Sequence, residues 1–133
     1  MKHLALCAPI ALLALSACVQ PPVEVGRALY ADNCAQCHGA GGKGDGPMSR
    51  SLLKAPPDIT GLTRANGGVF PQVYVMGVID GYTRRADPHS VMPEFGGDLQ
   101  AGDLVMVNTG DGIITPTPER LVALAAYLEG LQE

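Results

Sequence analysis

The sequence predicts a small helical domain, because its three clearest segments have the pattern of helices. Residues 24–33 and 117–131 carry apolar side chains at helical spacing, and residues 70–80 follow a glycine-rich turn and precede Gly81. Once an N-terminal leader is set aside, the chain is too short to form two independent cores. We therefore expect a single domain in residues 24–133.

The first 17 residues are typical of a signal peptide. Lys2 supplies positive charge, residues 4–15 are almost entirely apolar, and Leu15-Ser16-Ala17-Cys18 is a small-residue cleavage site that ends in cysteine. These last four residues resemble the lipobox of bacterial lipoproteins, which implies that Cys18 is the first mature residue and carries lipid. An ordinary signal peptide with an incidental cysteine is the alternative. The apolar run is too short for a membrane-spanning helix, which needs about 20 residues, and Pro9 interrupts it.

This N-terminus predicts an exported protein, anchored by lipid on the periplasmic side of a bacterial membrane. Residues 18–23 would form the tether, since Pro21 and Pro22 favour an extended chain. Val19 stands where an aspartate marks inner-membrane retention in Gram-negative bacteria. By that analogy the outer membrane is favoured over the inner one.

The segment that predicts chemistry follows the first helix, which would deliver Cys34 at its C-terminal end. Cys34-Ala35-Gln36-Cys37-His38 places two thiols three residues apart and an imidazole directly after them. Such a motif attaches haem covalently: the thiols form thioethers with the vinyl groups, and the imidazole coordinates the iron. We therefore expect one haem c, held by Cys34, Cys37 and His38.

Two other uses of a Cys-x-x-Cys motif fit the sequence less well. Zinc needs four ligands, but the other cysteines, Cys7 and Cys18, lie in the apolar N-terminal segment, and no spaced histidine pair accompanies them. A thioredoxin-like dithiol follows a strand and opens a helix, whereas this motif follows a predicted helix and precedes a glycine-rich loop.

Loops and short helices are expected after the motif. Residues 39–47 contain too many glycines for a helix or a strand. Residues 49–54 predict one helical turn, which Pro56 and Pro57 would end.

The two later helices have recognisable ends. Pro71 at an early position and Gly81 at the end predict a short helix over residues 70–80. For the last helix we expect Thr117 to be the N-cap and Pro118 to be the first helical residue. Its leucine stripe must be buried against another element.

The second axial ligand of the iron must come from far along the chain. The mature sequence offers four methionines: Met48, Met76, Met92 and Met106. We expect Met92, because the proline that follows it disfavours helix and presents the thioether from a rigid, extended segment. Met48 lies too near the proximal loop, and the other two are more typical of core packing. His89 is the rival, and a haem with two histidine ligands would have a considerably lower potential.

Taken together, these residues resemble the class I cytochrome c family over about residues 25–132. Gly26 and Tyr30 match the family's N-terminal helix, in which the glycine permits close crossing by the C-terminal helix, and Leu124 and Tyr127 match the positions that meet it. The resemblance implies an all-α fold, in which the N- and C-terminal helices pack together around one covalently bound haem.

The resemblance also implies roles for two prolines. The family's sixth ligand is carried by the same Met-Pro sequence as Met92-Pro93. Pro47 resembles the family proline whose backbone carbonyl accepts a hydrogen bond from the free ring nitrogen of the axial histidine, here His38. Such a bond fixes the imidazole and increases its basicity, which lowers the potential.

One segment departs from the family pattern. Residues 98–116 separate the ligand loop from the last helix by more residues than the smallest relatives contain. The apolar run at residues 104–107 fits either a short helix or a strand. The segment is a candidate for a partner-specific surface, and a tolerated insertion is the alternative.

The predicted function is one-electron transfer without enzymatic activity. A carrier needs no open coordination site, no general base and no small-molecule substrate, and the sequence offers no convincing catalytic group. The net charge is −4, and it becomes −5 when Lys2 leaves with the leader. With no basic cluster, nucleic acid is an improbable partner, and redox proteins are expected as donor and acceptor. A gas or redox sensor with a labile Met92, and an electron-entry subunit of a larger oxidoreductase, remain as alternatives.

Overall fold

The computed structural model describes residues 22–83, 91–110 and 112–133. The predicted signal peptide at residues 1–17, the lipidation site Cys18 and the rival ligand His89 lie outside the described residues. The helices are α1 (Pro22–Asn33), α2 (Ala35–His38), α3 (Leu62–Ala65), α4 (Gln72–Asp80), α5 (Gly96–Leu99) and α6 (Glu119–Gly130). Two strands, β1 (Leu104–Asn108) and β2 (Ile114–Pro118), form an antiparallel hairpin, and Ser49–Ser51 forms one 3-10 turn.

The first and last helices cross in close contact, as the resemblance implied. A Cβ on Gly26 would overlap the carbonyl oxygen of Ala123 and would lie 2.9 Å from the Cβ of Tyr127, so the two backbones approach too closely for any side chain there. Beside this contact the rings of Tyr30 and Tyr127 pack with centroids 5.3 Å apart. Glycine at position 26 therefore sets the distance between α1 and α6.

The core lies between α1, α4 and α6. The leucine stripe predicted for the last helix is buried there, with Leu121, Leu124 and Leu128 all at most 6% exposed. Ala125 of the same helix, side chains from α1, α4 and α5, and one loop residue complete it: Leu29, Tyr30, Phe70, Val75, Met76, Ile79, Leu99 and Ala125. Burial of this stripe explains why a helix of only 12 residues is stable.

Two helices begin at residues other than those predicted. Helix α1 begins at Pro22, so this proline is helical and does not extend the tether. Proline suits a first helical position because its missing N–H would have no partner there. Helix α4 begins at Gln72, and Pro71 is its N-cap. Its end is as predicted, because Gly81 adopts the left-handed conformation with φ of 99°.

The prediction that Thr117 caps the last helix is wrong. Thr117 lies in β2 opposite Val105, and its hydroxyl donates a hydrogen bond to the carbonyl oxygen of Thr115 at 3.1 Å. The strand pairing extends as far as the Glu119 N–H, which donates to the Asp103 carbonyl oxygen at 2.9 Å. Cross-strand hydrogen bonds therefore keep Thr117 and Pro118 extended, and α6 begins at Glu119.

The length and apolar character of a helix decide whether it could cross a membrane. Within the ranges that the structure describes, no helix has both the length and the apolar character that crossing a bilayer requires.

Candidate haem-binding site

A cavity of about 420 Å³ brings together four of the residues singled out in the sequence. Cys34, Cys37, His38 and Met92 all line it. The remaining wall is mostly apolar, with contributions from Leu52, Ala55, Pro56, Pro57, Ile59, Leu62, Val75, Val78, Ile79, Val91, Pro93, Phe95 and Leu128. Its volume falls in the range of cofactor sites, about 300–1,000 Å³. The cavity thus combines sulfur and nitrogen donors with an apolar enclosure.

Cys34 lies in the turn between α1 and α2, and Cys37 lies within α2. The Cys34 N–H donates to the Tyr30 carbonyl oxygen at 2.9 Å, and the His38 N–H donates to the Cys34 carbonyl oxygen at 2.9 Å. Neither Cys34 nor Cys37 forms a disulfide. Burial, with a smaller contribution from the nearby Cys37, raises the pKa of Cys34 to about 11. A reactive redox thiol needs a lowered pKa, so this environment argues against a thioredoxin-like dithiol.

The imidazole of His38 has a buried and unpartnered nitrogen. Its Nδ1 forms no hydrogen bond within the described part of the chain. Burial lowers the pKa of His38, and an interaction with the backbone of Pro57 raises it to a smaller extent. The balance favours the neutral imidazole, which is the form that coordinates a metal ion.

The hydrogen bond expected between His38 and the Pro47 carbonyl is not formed. Pro47 is exposed and does not line the cavity. Its neighbours explain the placement, because the Gly46 N–H donates to the Cys37 carbonyl oxygen and the Met48 N–H donates to that of Gln36. These bonds hold the end of the glycine-rich loop against the outside of the Cys34–His38 turn. Pro57, by contrast, lines the cavity together with His38, and its backbone is near enough to raise the pKa of the imidazole.

The glycine-rich loop is fixed to the histidine by its backbone. The Gly44 N–H donates to the His38 carbonyl oxygen at 2.8 Å, and the buried Tyr30 hydroxyl donates to the Gly39 carbonyl oxygen at 2.7 Å. Residues 39–47 form no helix or strand, as predicted. Helix α1 and the loop therefore hold the backbone carbonyls of His38 and Gly39.

The segment that carries Met92 is attached to the end of α4. The Phe95 N–H donates to the Ile79 carbonyl oxygen at 3.1 Å. A Cβ on Gly81 would lie 2.6 Å from the Glu94 Cγ, so the absent side chain makes room for this segment. These contacts place a half-buried Met92 at the cavity wall.

The other three methionines lie away from the cavity. Met48 and Met106 are 47% and 63% exposed, and Met76 is a core residue at 5% exposure. None of the three is part of the cavity wall. Met106 is therefore not a core residue, contrary to the expectation from sequence, whereas Met76 is.

A zinc site finds no support in the described ranges, which contain no group of three or more histidine, cysteine or acidic side chains able to hold a metal ion. The chemistry of the donors fits a haem instead: two thiols for thioethers, a neutral imidazole and a thioether beside an apolar wall.

Comparison with known families agrees with this geometry. The family model described as Cytochrome c matches residues 23–132. The chain belongs to the cytochrome c family. Membership implies covalently bound haem c, electron transfer and redox partner proteins. A search of the curated proteins found no match to this cytochrome.

One solved structure shares the fold of the cytochrome. A chain of the Kuenenia stuttgartiensis reducing HAO-like protein complex Kustc0457/Kustc0458 is similar, with a TM-score of 0.56 and 19% sequence identity. The match covers 84% of the cytochrome but 44% of the other chain, so the cytochrome spans less than half of that chain's length.

Three features of the site were not predicted from the sequence. They are the Pro57 backbone near His38, the Tyr30 hydroxyl on the Gly39 carbonyl, and the Ile79 carbonyl that holds the Met92 segment. Only the Tyr30 hydrogen bond had a signal in the sequence. A tyrosine rather than a phenylalanine at a buried helix position indicates a partner for the hydroxyl, because a buried hydroxyl needs one. Nothing in the local sequence distinguishes the Pro57 or Ile79 carbonyls.

Proposed function

We propose that this cytochrome is a one-electron carrier with a single haem c, attached through Cys34 and Cys37 and coordinated by His38 and Met92. The observation that carries the proposal is that these four side chains line one largely apolar cavity. When bound, the haem supplies reversible one-electron exchange between ferric and ferrous iron.

Each residue has a separate task. The two cysteines fix the haem in one orientation, and the backbone bonds on either side of His38 hold the proximal imidazole in place. The Met92 thioether favours ferrous iron more than a second imidazole would. The largely apolar wall would exclude water from a haem held by these residues.

The lining of the cavity supports a carrier rather than an enzyme. No aspartate or glutamate is among the described residues that line it. Proton transfer during peroxide or nitrite reduction would need a general acid or base near an open coordination site. With Met92 at the sixth position, no coordination site is open for such a reaction.

The proposal includes export and attachment to a membrane through lipidated Cys18, on the periplasmic side and with the outer membrane favoured. It rests on the sequence of residues 1–18. Mass spectrometry of the exported chain tests it. A mature N-terminus at lipidated Cys18 supports the anchor, and an unmodified N-terminus elsewhere contradicts it.

Absorption spectra of the purified, exported protein test the ligands. We expect haem absorption that persists after extraction with acidic acetone, because thioether bonds resist that treatment. In the oxidised state we expect the weak sulfur-to-iron band at the red end of the spectrum. Met92→Ala should abolish this band, and Met48→Ala should leave it unchanged, because Met48 does not line the cavity.

Three outcomes would contradict the proposal. A colourless protein, or one whose pigment is extracted by acidic acetone, would exclude covalent haem. A sulfur-to-iron band that survives Met92→Ala, or is absent from the wild type, would exclude Met92. Rapid binding of carbon monoxide by the reduced wild type would favour a sensor over a carrier.

A further inference from the structure

The two edges of the β-hairpin differ in their ability to form hydrogen bonds. Backbone hydrogen bonds join Asp103 to Glu119 and Thr109 to Ile113. Hydrogen-bonded pairs alternate with non-hydrogen-bonded pairs along antiparallel strands, so Val105–Thr117 and Val107–Thr115 are hydrogen-bonded pairs as well. The intervening residues of each strand direct their N–H and C=O groups away from the hairpin.

The outer edge of β2 is blocked. Its outward-directed residues are Ile114, Pro116 and Pro118, and the two prolines have no N–H to donate. Proline on an edge is a common means by which proteins prevent a further strand from pairing.

The outer edge of β1 is open. Its outward-directed residues are Leu104, Met106 and Asn108, each of which directs a backbone N–H and C=O group away from β2. These groups form no hydrogen bond with another part of the described chain. The strand contains no charged residue and no proline, so it lacks the features that usually protect an edge.

We propose that the β1 edge pairs with the β1 edge of a second copy of this chain. Antiparallel pairing about Met106 sets Leu104 opposite Asn108 of the other copy and Met106 opposite its own counterpart. About six backbone hydrogen bonds form across this two-fold axis, two for each outward-directed pair. The product is a four-stranded sheet in which both blocked β2 strands lie at the outside.

The side chains in this register are mutually compatible. On the inner face, the half-buried Val105 lies opposite Val107 of the other copy, which is a favourable pair of β-branched residues. On the outer face the two Met106 side chains, each 63% exposed in the single chain, meet and partly cover each other.

Charge does not prevent the pairing, although the chain is acidic. The closest charged residue in the sequence is Asp103, and its opposite in this register is Thr109. The two Asp103 residues are six positions apart along the strand direction, or about 20 Å. That distance exceeds the screening length of about 8 Å at physiological ionic strength.

The association is expected to be weak. A single edge-to-edge contact belongs at the low end of interface sizes, below about 1,200 Å². We therefore expect a monomer–dimer equilibrium at submillimolar concentrations rather than an obligate dimer. This inference depends on the hairpin alone and is independent of the proposed haem ligands.

Sedimentation equilibrium and amide exchange of the purified haem-loaded protein test the inference. With increasing concentration we expect a dimer, together with new protection of the Leu104, Met106 and Asn108 amides. The Val105 and Val107 amides should be protected at every concentration, since they already pair with β2.

Matched lysine substitutions locate the interface. Met106→Lys places like charges directly across the two-fold axis and should weaken dimerisation about tenfold or more. Ile114→Lys makes the same change on an exposed residue of the blocked strand and should leave dimerisation unchanged. Melting curves of both variants check that each is folded.

Two results would overturn the inference. One is a protein that remains monomeric throughout the concentration range, which would leave the β1 edge for the strand of a different protein. The other is a dimer that survives Met106→Lys, because its interface would then lie elsewhere.

Discussion

Replacement of Gly26 by alanine tests the closest contact in the fold. The new Cβ would overlap the Ala123 carbonyl oxygen and lie 2.6 Å from its carbonyl carbon, so α1 and α6 must separate. Overpacking costs about 1–3 kcal/mol, and because the obstructing atoms here are backbone, we expect a cost of about 3 kcal/mol. Alanine returns about 1 kcal/mol in helix propensity. We expect a net loss of about 2 kcal/mol in the free energy of unfolding.

Gly130→Ala provides the matched control. Gly130 is also in a helix, but a Cβ there meets no atom within 4 Å. This variant should be unchanged or more stable by up to about 1 kcal/mol. Urea unfolding of the haem-loaded proteins, followed by far-ultraviolet circular dichroism, gives both values. A Gly26→Ala variant within about 0.5 kcal/mol of the wild type would show that the close crossing does not determine stability.

Further predictions concern the site and the core. Met92→Ala should lower the reduction potential and allow carbon monoxide to bind the reduced protein, as measured by redox titration and absorption; unchanged values would contradict its role as a ligand. Tyr30→Phe should cost about 1–3 kcal/mol in urea unfolding, because the buried Gly39 carbonyl loses its donor. Burial raises the pKa of Tyr30 to about 12 from 10.0, so the folded state holds this proton more tightly. The resulting stability is fully present below pH 10 and is lost as the pH rises towards 12. The wild type should therefore lose stability over this interval more steeply than Tyr30→Phe, and equal slopes would refute the assignment. Leu124→Ala, at a position only 2% exposed, should cost about 2–5 kcal/mol, and a loss below about 1 kcal/mol would place Leu124 outside the core.

The sequence determined those features that depend on residues close together in the chain. The spacing of Cys34, Cys37 and His38 is contained within five residues, so the motif predicted its cofactor without knowledge of the fold. The apolar stripe of the last helix and the glycine that ends α4 were local signals of the same kind. Met92 was also distinguished from the other methionines by a local feature, the proline that follows it.

The tertiary structure decided which distant backbone groups meet the site. Pro57 lines the cavity with His38 and Pro47 does not, because hydrogen bonds to the Gln36 and Cys37 carbonyls hold the end of the glycine-rich loop elsewhere. Thr117 has the residue type of an N-cap, but pairing with β1 keeps it in a strand. A local preference of about 1 kcal/mol is overridden when several cross-strand hydrogen bonds require another conformation. Such bonds join residues that are not neighbours in the sequence, and local residue preferences do not reveal them.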